Sequence, residues 1–292
     1  MKRSITTRDG SRLWTETFGH PADPAILLVM GGTAQGIVWP EVLCELLAAD
    51  GFFVVRYDHR DTGKSSKSDG DYDLSVLAAD AADVVGGLGL AAAHVVGQSV
   101  GGMVAQLLAL HRPELVRSLV LLSSSPDANG DVRVPPRTGL PGPRQPMLDR
   151  AARLAASPPA GAREQFTAAV DGWQVLLGPT VAFDRPYWEA LVQRMMRRSV
   201  APDTAGHHLG ALDRTPPLTA RIGALDVPTL VVHGEQDPVF PLEHGRQLYR
   251  AILRARLWSI AGMGHIFPPH WSSTIRSLIV DHVRAARLRR SR

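Results

Sequence analysis

The chain has 292 residues, 45% hydrophobic and 21% charged, a balance that excludes a disordered or fibrous chain and fits one large globular domain, or a core with an insertion. Its formal net charge of +4 comes almost wholly from arginine, with lysine only at Lys2, Lys64 and Lys67. The basic run from Arg284 to Arg292 reads as the solvated end of a last helix, so no nucleic-acid partner is expected.

One cysteine, Cys44, excludes an intrachain disulfide and a cysteine metal cluster. No apolar run approaches the roughly 20 residues of a bilayer span, and the first residues carry no apolar leader. A soluble, cytoplasmic protein without a membrane partner is expected.

In chain order, residues 4–18 alternate in polarity and turn at Arg8-Asp9-Gly10-Ser11, which predicts a hairpin. The apolar run from Ala25 to Met30 reads as a strand buried on both faces, ending in Gly31-Gly32-Thr33. A helical pattern spans Trp39 to Asp50, and a strand spans Phe52 to Tyr57. The polar loop that follows contains Gly63-Lys64-Ser65, the tail of a phosphate-binding loop, but position 58 is Asp where that motif needs its first glycine. Leu74 to Leu88 is helical, and Ala91 to Val96 is the next strand.

That strand stops at Gly97-Gln98-Ser99-Val100-Gly101, and an amphipathic run follows from Met103 to His111. Strand, sharp turn and helix with serine at the bend is the form of a nucleophile elbow. The two glycines allow the turn its tightness, because a Cβ at either would meet the neighbouring strand or helix. A further strand is predicted over Ser118 to Ser123.

From Pro126 to about Ile222 the rhythm breaks. Helical stretches at Gln145–Ala156, Ala162–Leu176 and Arg185–Arg198 follow one another without strands, and they carry apolar faces and aromatics. The expected organisation is a core of residues 1–125 and 223–292 with a helical cap of residues 126–222. Strand and helix then alternate again through Thr229–His233, Leu242–Leu253, Ala255–Ile260 and Trp271–Arg287. Such alternation predicts an α/β architecture, a mostly parallel doubly wound sheet whose ligands bind at the carboxyl ends of its strands.

A serine hydroxyl is a poor nucleophile at neutral pH and needs a base, commonly a histidine held by an acid. Gly234-Glu235-Gln236-Asp237-Pro238 and Gly262-Met263-Gly264-His265 each follow a predicted strand. Ser99, Asp237 and His265 therefore stand in the order nucleophile, acid, base. Asp127 is the alternative acid and Glu235 a weaker one; His233 lies inside a strand and reads as core. The oxyanion donors are expected at the N–H groups of Gly32 and Val100. Thr33, Gln98, Trp173, Met195 and His207 are the expected substrate contacts, with His208 beside the last of them in the cap. No metal-binding pattern and no cofactor motif is present.

Leu28-Val29-Met30-Gly31-Gly32, Arg56-Tyr57-Asp58-His59-Arg60-Asp61-Thr62-Gly63, Gly139-Leu140-Pro141-Gly142-Pro143 and Gly262-Met263-Gly264-His265 make a wider pattern. By these stretches the chain resembles the α/β-hydrolase superfamily over nearly its whole length. Within it the chain is similar to the bacterial aclacinomycin methylesterases, which hydrolyse a carboxylic methyl ester on an anthracycline aglycone. The resemblance implies the α/β-hydrolase fold and assigns the triad and oxyanion hole to the same residues as above.

The expected activity is thus that of a serine esterase acting through an acyl-enzyme on a bulky, hydrophobic small-molecule ester, by resemblance an aromatic polyketide methyl ester. The rival readings are lactone hydrolysis, acyl transfer or a cofactor-free oxidation or decarboxylation on the same scaffold, and a non-catalytic binding protein. A monomer or homodimer is expected.

Overall fold

A computed structural model describes residues 1–127, 139–200, 204 and 206–290, without the side chains of residues 288–290. Parts of the expected cap, residues 128–138, 201–203 and 205, lie outside the described residues.

Eight strands form one sheet in the order β1-β2-β4-β3-β5-β6-β7-β8. Strands β1 (Lys2–Thr6) and β2 (Arg12–Phe18) are the hairpin read from the sequence, and β2 runs antiparallel to β4 (Phe53–Tyr57). The rest is parallel: β3 (Ala25–Val29), β5 (Ala93–Gln98), β6 (Val116–Leu122), β7 (Thr229–Gly234) and β8 (Ala255–Ile260). Strands β3 to β7 are buried along almost their whole length. That is why they read as continuous apolar runs and not as alternating ones.

Helices cover both faces. On one, α2 (Leu74–Gly87), α3 (Val100–His111) and α8 (Leu242–Ala251) pack through side chains such as Leu77, Val84, Leu107 and Leu248. On the other, α1 (Glu41–Ala49) and α9 (Ser272–Arg290) pack through Leu43, Leu47, Ile275 and Ile279. Cys44 is buried in α1, where desolvation pushes its thiol up to about 12; it behaves as a small apolar side chain. The side chain of Asp73 caps α2 by accepting from Ser75 N at 2.8 Å, which satisfies one of the free donors of its first turn.

Between β6 and β7 lie α4 (Gln145–Ala156), α5 (Ala162–Leu177), α6 (Arg185–Arg198) and α7 (His207–Arg214), with no strand among the described residues. Their aromatics pack on one another: Trp188 stacks on Trp173 at 5.1 Å and takes the edge of Tyr187 at 5.2 Å. The first three helices match the sequence reading, whereas α7 was not anticipated. It has only eight residues and carries Gly210 in its interior, so its local signal is weak.

Among the joints that tie these helices to the core are an arginine and a pair of carbonyls. Arg198 of α6 reaches the fully buried Asp58 at 2.8 Å, donates to Gln35 Oε1 at 2.7 Å and lies 4.3 Å over the Trp14 ring. At the end of α5, the carbonyls of Leu177 and Leu176 accept from Gly264 N at 3.0 Å and His265 N at 2.7 Å. No helix among the described residues is long and apolar enough to cross a membrane.

Candidate active site

The chain leaves β5 through a bend in which Ser99 sits at φ 55° and ψ −125°. A non-glycine residue there costs about 1–3 kcal/mol, and it persists only where its surroundings over-determine it. Ser99 N donates to Leu122 O at 2.9 Å, and Ser99 O accepts from Gly102 N at 2.9 Å and Ser124 Oγ at 2.8 Å. A Cβ on Gly97 would strike the backbone of α3, and one on Gly101 would strike the carbonyls of Val29 and Met30. The glycines of the motif are therefore steric requirements of the bend.

Asp237, in the loop after β7, is fully buried. Its Oδ1 accepts from Val239 N at 2.8 Å and Phe240 N at 2.9 Å, and its Oδ2 accepts from His265 Nδ1 at 2.9 Å. Burial alone would raise its pKa, but the adjoining His265, the nearby His233 and the Phe240 N–H hold it below the ordinary carboxylate value. A carboxylate thus stays ionised in an apolar setting and fixes the proton of His265 on Nδ1. That leaves Nε2 as an acceptor.

Ser99 and His265 border one cavity of about 360 Å³. No hydrogen bond joins Ser99 Oγ to the imidazole among the described residues. Gly32 and Val100 border it as well, and neither N–H is taken by a described acceptor. Val100 opens α3, where the helix dipole favours negative charge.

Of the expected substrate contacts, Thr33, Gln98, Trp173 and Met195 line this cavity. Gln98 has a second engagement: its Nε2 donates to His265 O at 3.0 Å, joining the residue beside Ser99 to the His265 loop. His207 is a correction. It stands outside the cavity, 40% exposed, with Nδ1 3.4 Å from Asp61 Oδ2, while its neighbour His208 takes the position on the wall. The first turn of α7 turns one histidine outward and the next inward, a register no pattern in so short a helix reveals.

Asp127 is fully buried, and its carboxylate oxygens have no partner among the described residues; it makes no bond to His265. Glu235 accepts from Ser259 Oγ at 2.8 Å at the surface. His233 is buried in β7 and donates to Phe240 O at 2.7 Å.

Sequence reasoning missed Arg150 and Met147 of α4, and Phe240, which meets the His265 ring edgewise at 5.5 Å. Arg150 is the only permanently charged side chain among the described residues that line the cavity, in an otherwise largely apolar wall of the kind that takes small organic ligands. No group of three or more potential ligands able to hold a metal ion occurs among the described residues.

Residues 24–268 match the family described as alpha/beta hydrolase fold, and the chain belongs to that family. Among curated proteins, the chain is 36% identical over 306 aligned positions to the rhodomycin D methylesterase DnrP of Streptomyces peucetius, covering 98% of this chain and 99% of that protein. It is 35% identical to the rhodomycin D methylesterase DauP of Streptomyces sp. (strain C5), with 98% and 99% covered. Among solved structures, a hydrolase from Pseudomonas aeruginosa PA01 superposes with a TM-score of 0.75 at 25% identity, covering 97% of this chain and 98% of that one. The enol-lactonase of Burkholderia xenovorans LB400 gives 0.77 at 20% identity, with 97% and 100% covered.

Proposed function

We propose that this ester hydrolase is a serine carboxylesterase that cleaves a bulky hydrophobic ester through an acyl-enzyme, with a methyl ester on an aromatic polyketide as its substrate. The observation that carries the reading is the buried Asp237–His265 pair on the same cavity wall as the strained Ser99.

In this mechanism His265 Nε2 takes the Ser99 proton as Oγ attacks the ester carbonyl, and Asp237 stabilises the imidazolium. The bond from Oγ to the imidazole closes as substrate loads; such bonds are often long in unliganded sites. The tetrahedral oxyanion is held by the N–H groups of Gly32 and Val100, each worth about 3 kcal/mol at the transition state. His265 then gives its proton to the leaving alkoxide, methanol departs, and water attacks the acyl-enzyme by the same route. The substrate class rests on the two methylesterase relatives, which match over nearly the whole chain, and on the largely apolar wall with Trp173 and Met195.

The test is turnover of p-nitrophenyl acetate and of an aromatic polyketide methyl ester by wild type and Ser99→Ala, with fluorophosphonate labelling read by mass spectrometry. Label on Ser99 and loss of both activities in the variant are expected. Unchanged turnover in the variant would sink the proposal.

A further inference from the structure

We infer that His208 is a positioning residue that tethers the oxyanion loop by holding the Thr33 N–H. The inference rests on the esterase reading above.

His208 lies in the first turn of α7, fully buried apart from its edge on the cavity. Its Nδ1 accepts from Thr33 N at 2.9 Å, and its Nε2 lies 2.9 Å from Arg60 O. A carbonyl cannot donate, so Nε2 carries the proton and Nδ1 is the acceptor; the two partners fix one tautomer. Burial pushes the imidazole below its ordinary pKa, which keeps Nδ1 free to accept. The ring is also held from behind, where His59 meets it edge-on at 5.5 Å.

The group that His208 holds is one that needs holding. Ala34 N reaches back to Gly31 O at 3.4 Å, which makes residues 31–34 a turn, and Thr33 sits in it at φ 63°. A positive φ at the third residue of a turn suits glycine, and a β-branched residue is a genuine outlier there. Turns of this form differ from the ordinary one by a flip of the central peptide, here the unit between Gly32 and Thr33. That flip would return Thr33 to a negative φ, and it would carry the Thr33 N–H away from His208. The turn as built therefore persists against the preference of its own third residue. Gly32 lies against the Val100 side chain, whose Cγ2 would stand 3.1 Å from a Cβ there.

The flip would bring the Gly32 carbonyl to the side where the Thr33 N–H now stands and would release the adjoining unit, whose Gly32 N–H serves the oxyanion. His208 thus links a helix inserted between β6 and β7 to the donor that meets charge at the transition state. It acts on the rate of the chemical step and not on ground-state binding.

The test compares His208→Asn, which keeps an acceptor near the Nδ1 position, with His208→Gln, which reaches past it toward Arg60. With p-nitrophenyl acetate, the asparagine variant is expected to keep kcat within about fivefold of wild type. The glutamine variant is expected to lose about 30- to 100-fold in kcat with KM within about threefold, as for a displaced oxyanion donor. Adding Thr33→Gly to His208→Gln, which removes the conformational penalty, is expected to recover about tenfold.

Circular dichroism melts accompany each variant, and His208→Ala replaces His208→Gln if the latter does not fold. Equal activity of the asparagine and glutamine variants, a raised KM at unchanged kcat, or no rescue by Thr33→Gly would overturn the inference. Absence of fluorophosphonate label on wild-type Ser99 would bring down the esterase reading itself, whereas a labelled Ser99 with any of those three results brings down the tether alone.

Discussion

Gly264 tests how the base is aimed. It precedes His265 and lies against the last turn of α5, where a Cβ would stand 2.5 Å from Leu177 O and closer still to Leu176 O. Real Cβ atoms essentially never come within 3.0 Å of such atoms, so Gly264→Ala must part the loop and the helix by at least about 0.5 Å; overpacking of this kind costs about 1–3 kcal/mol. The same movement strains the bonds from Gly264 N and His265 N to the α5 carbonyls. A misplacement near 1 Å costs up to about a hundredfold in rate.

The expected outcome is kcat down about 10- to 100-fold with KM little changed, and a melting temperature lower by about 2–4 °C per kcal/mol lost. The assay is ester turnover under saturating substrate beside a circular dichroism melt. Gly70→Ala is the control: it lies in an exposed loop and a Cβ there meets nothing within 4 Å, so both readouts hold. A Gly264→Ala enzyme with wild-type kcat and melting temperature would refute the claim that α5 clamps the histidine loop.

Three further outcomes are expected. Asp237→Asn leaves the His265 tautomer unsupported and lowers kcat by about a thousand- to ten-thousandfold, measured by stopped assay. Arg198→Ala strips the fully buried Asp58 of its cation and costs about 3 kcal/mol, or roughly 6–12 °C by thermal melt, despite the Gly36 and Lys64 N–H groups that remain on that carboxylate. His282, pushed from 6.5 down to about 4 by burial with Arg256 adding to the effect, is neutral in the fold and binds its proton on unfolding. Its contribution is complete above pH 6.5 and is lost as pH falls toward 4. His282→Asn should therefore reduce the acid-side slope of stability by up to about 1.4 kcal/mol per pH unit in that window, measured by urea titration across pH 4–7.

The strands were legible because five neighbouring ones are buried on both faces and read as unbroken apolar runs. The elbow was legible because its serine and both glycines lie within five residues of chain, although the backbone that Gly101 must clear, at Val29 and Met30, is distant in sequence. What stayed hidden is set by side-chain direction in short or irregular elements. His207 and His208 are adjacent in sequence, and only the register of α7 against the loops after β3 and β4 decides which one meets the cavity. Gln98 sat in view beside the serine, yet its bond to His265 O spans segments far apart in the chain. Arg150 carried no signal at all: an arginine on an amphipathic helix is the commonest of residues, and its place on the wall follows from how α4 lies on α5, where Gly172 leaves room for the guanidinium.

The histidine loop and α5 share backbone hydrogen bonds, while the wall on α4 and α5 meets the cavity largely through side chains. Those two kinds of joint have different tolerances to mutation. Exchanging Met147, Arg150, Ala169 or Trp173 changes the shape of the cavity without touching the backbone bonds of the histidine loop. The Leu176 and Leu177 carbonyls belong to the backbone, and they hold the His265 loop whatever side chains those two positions carry. The shape of the cavity and the placement of the histidine loop are thereby set through separate bonds of these helices.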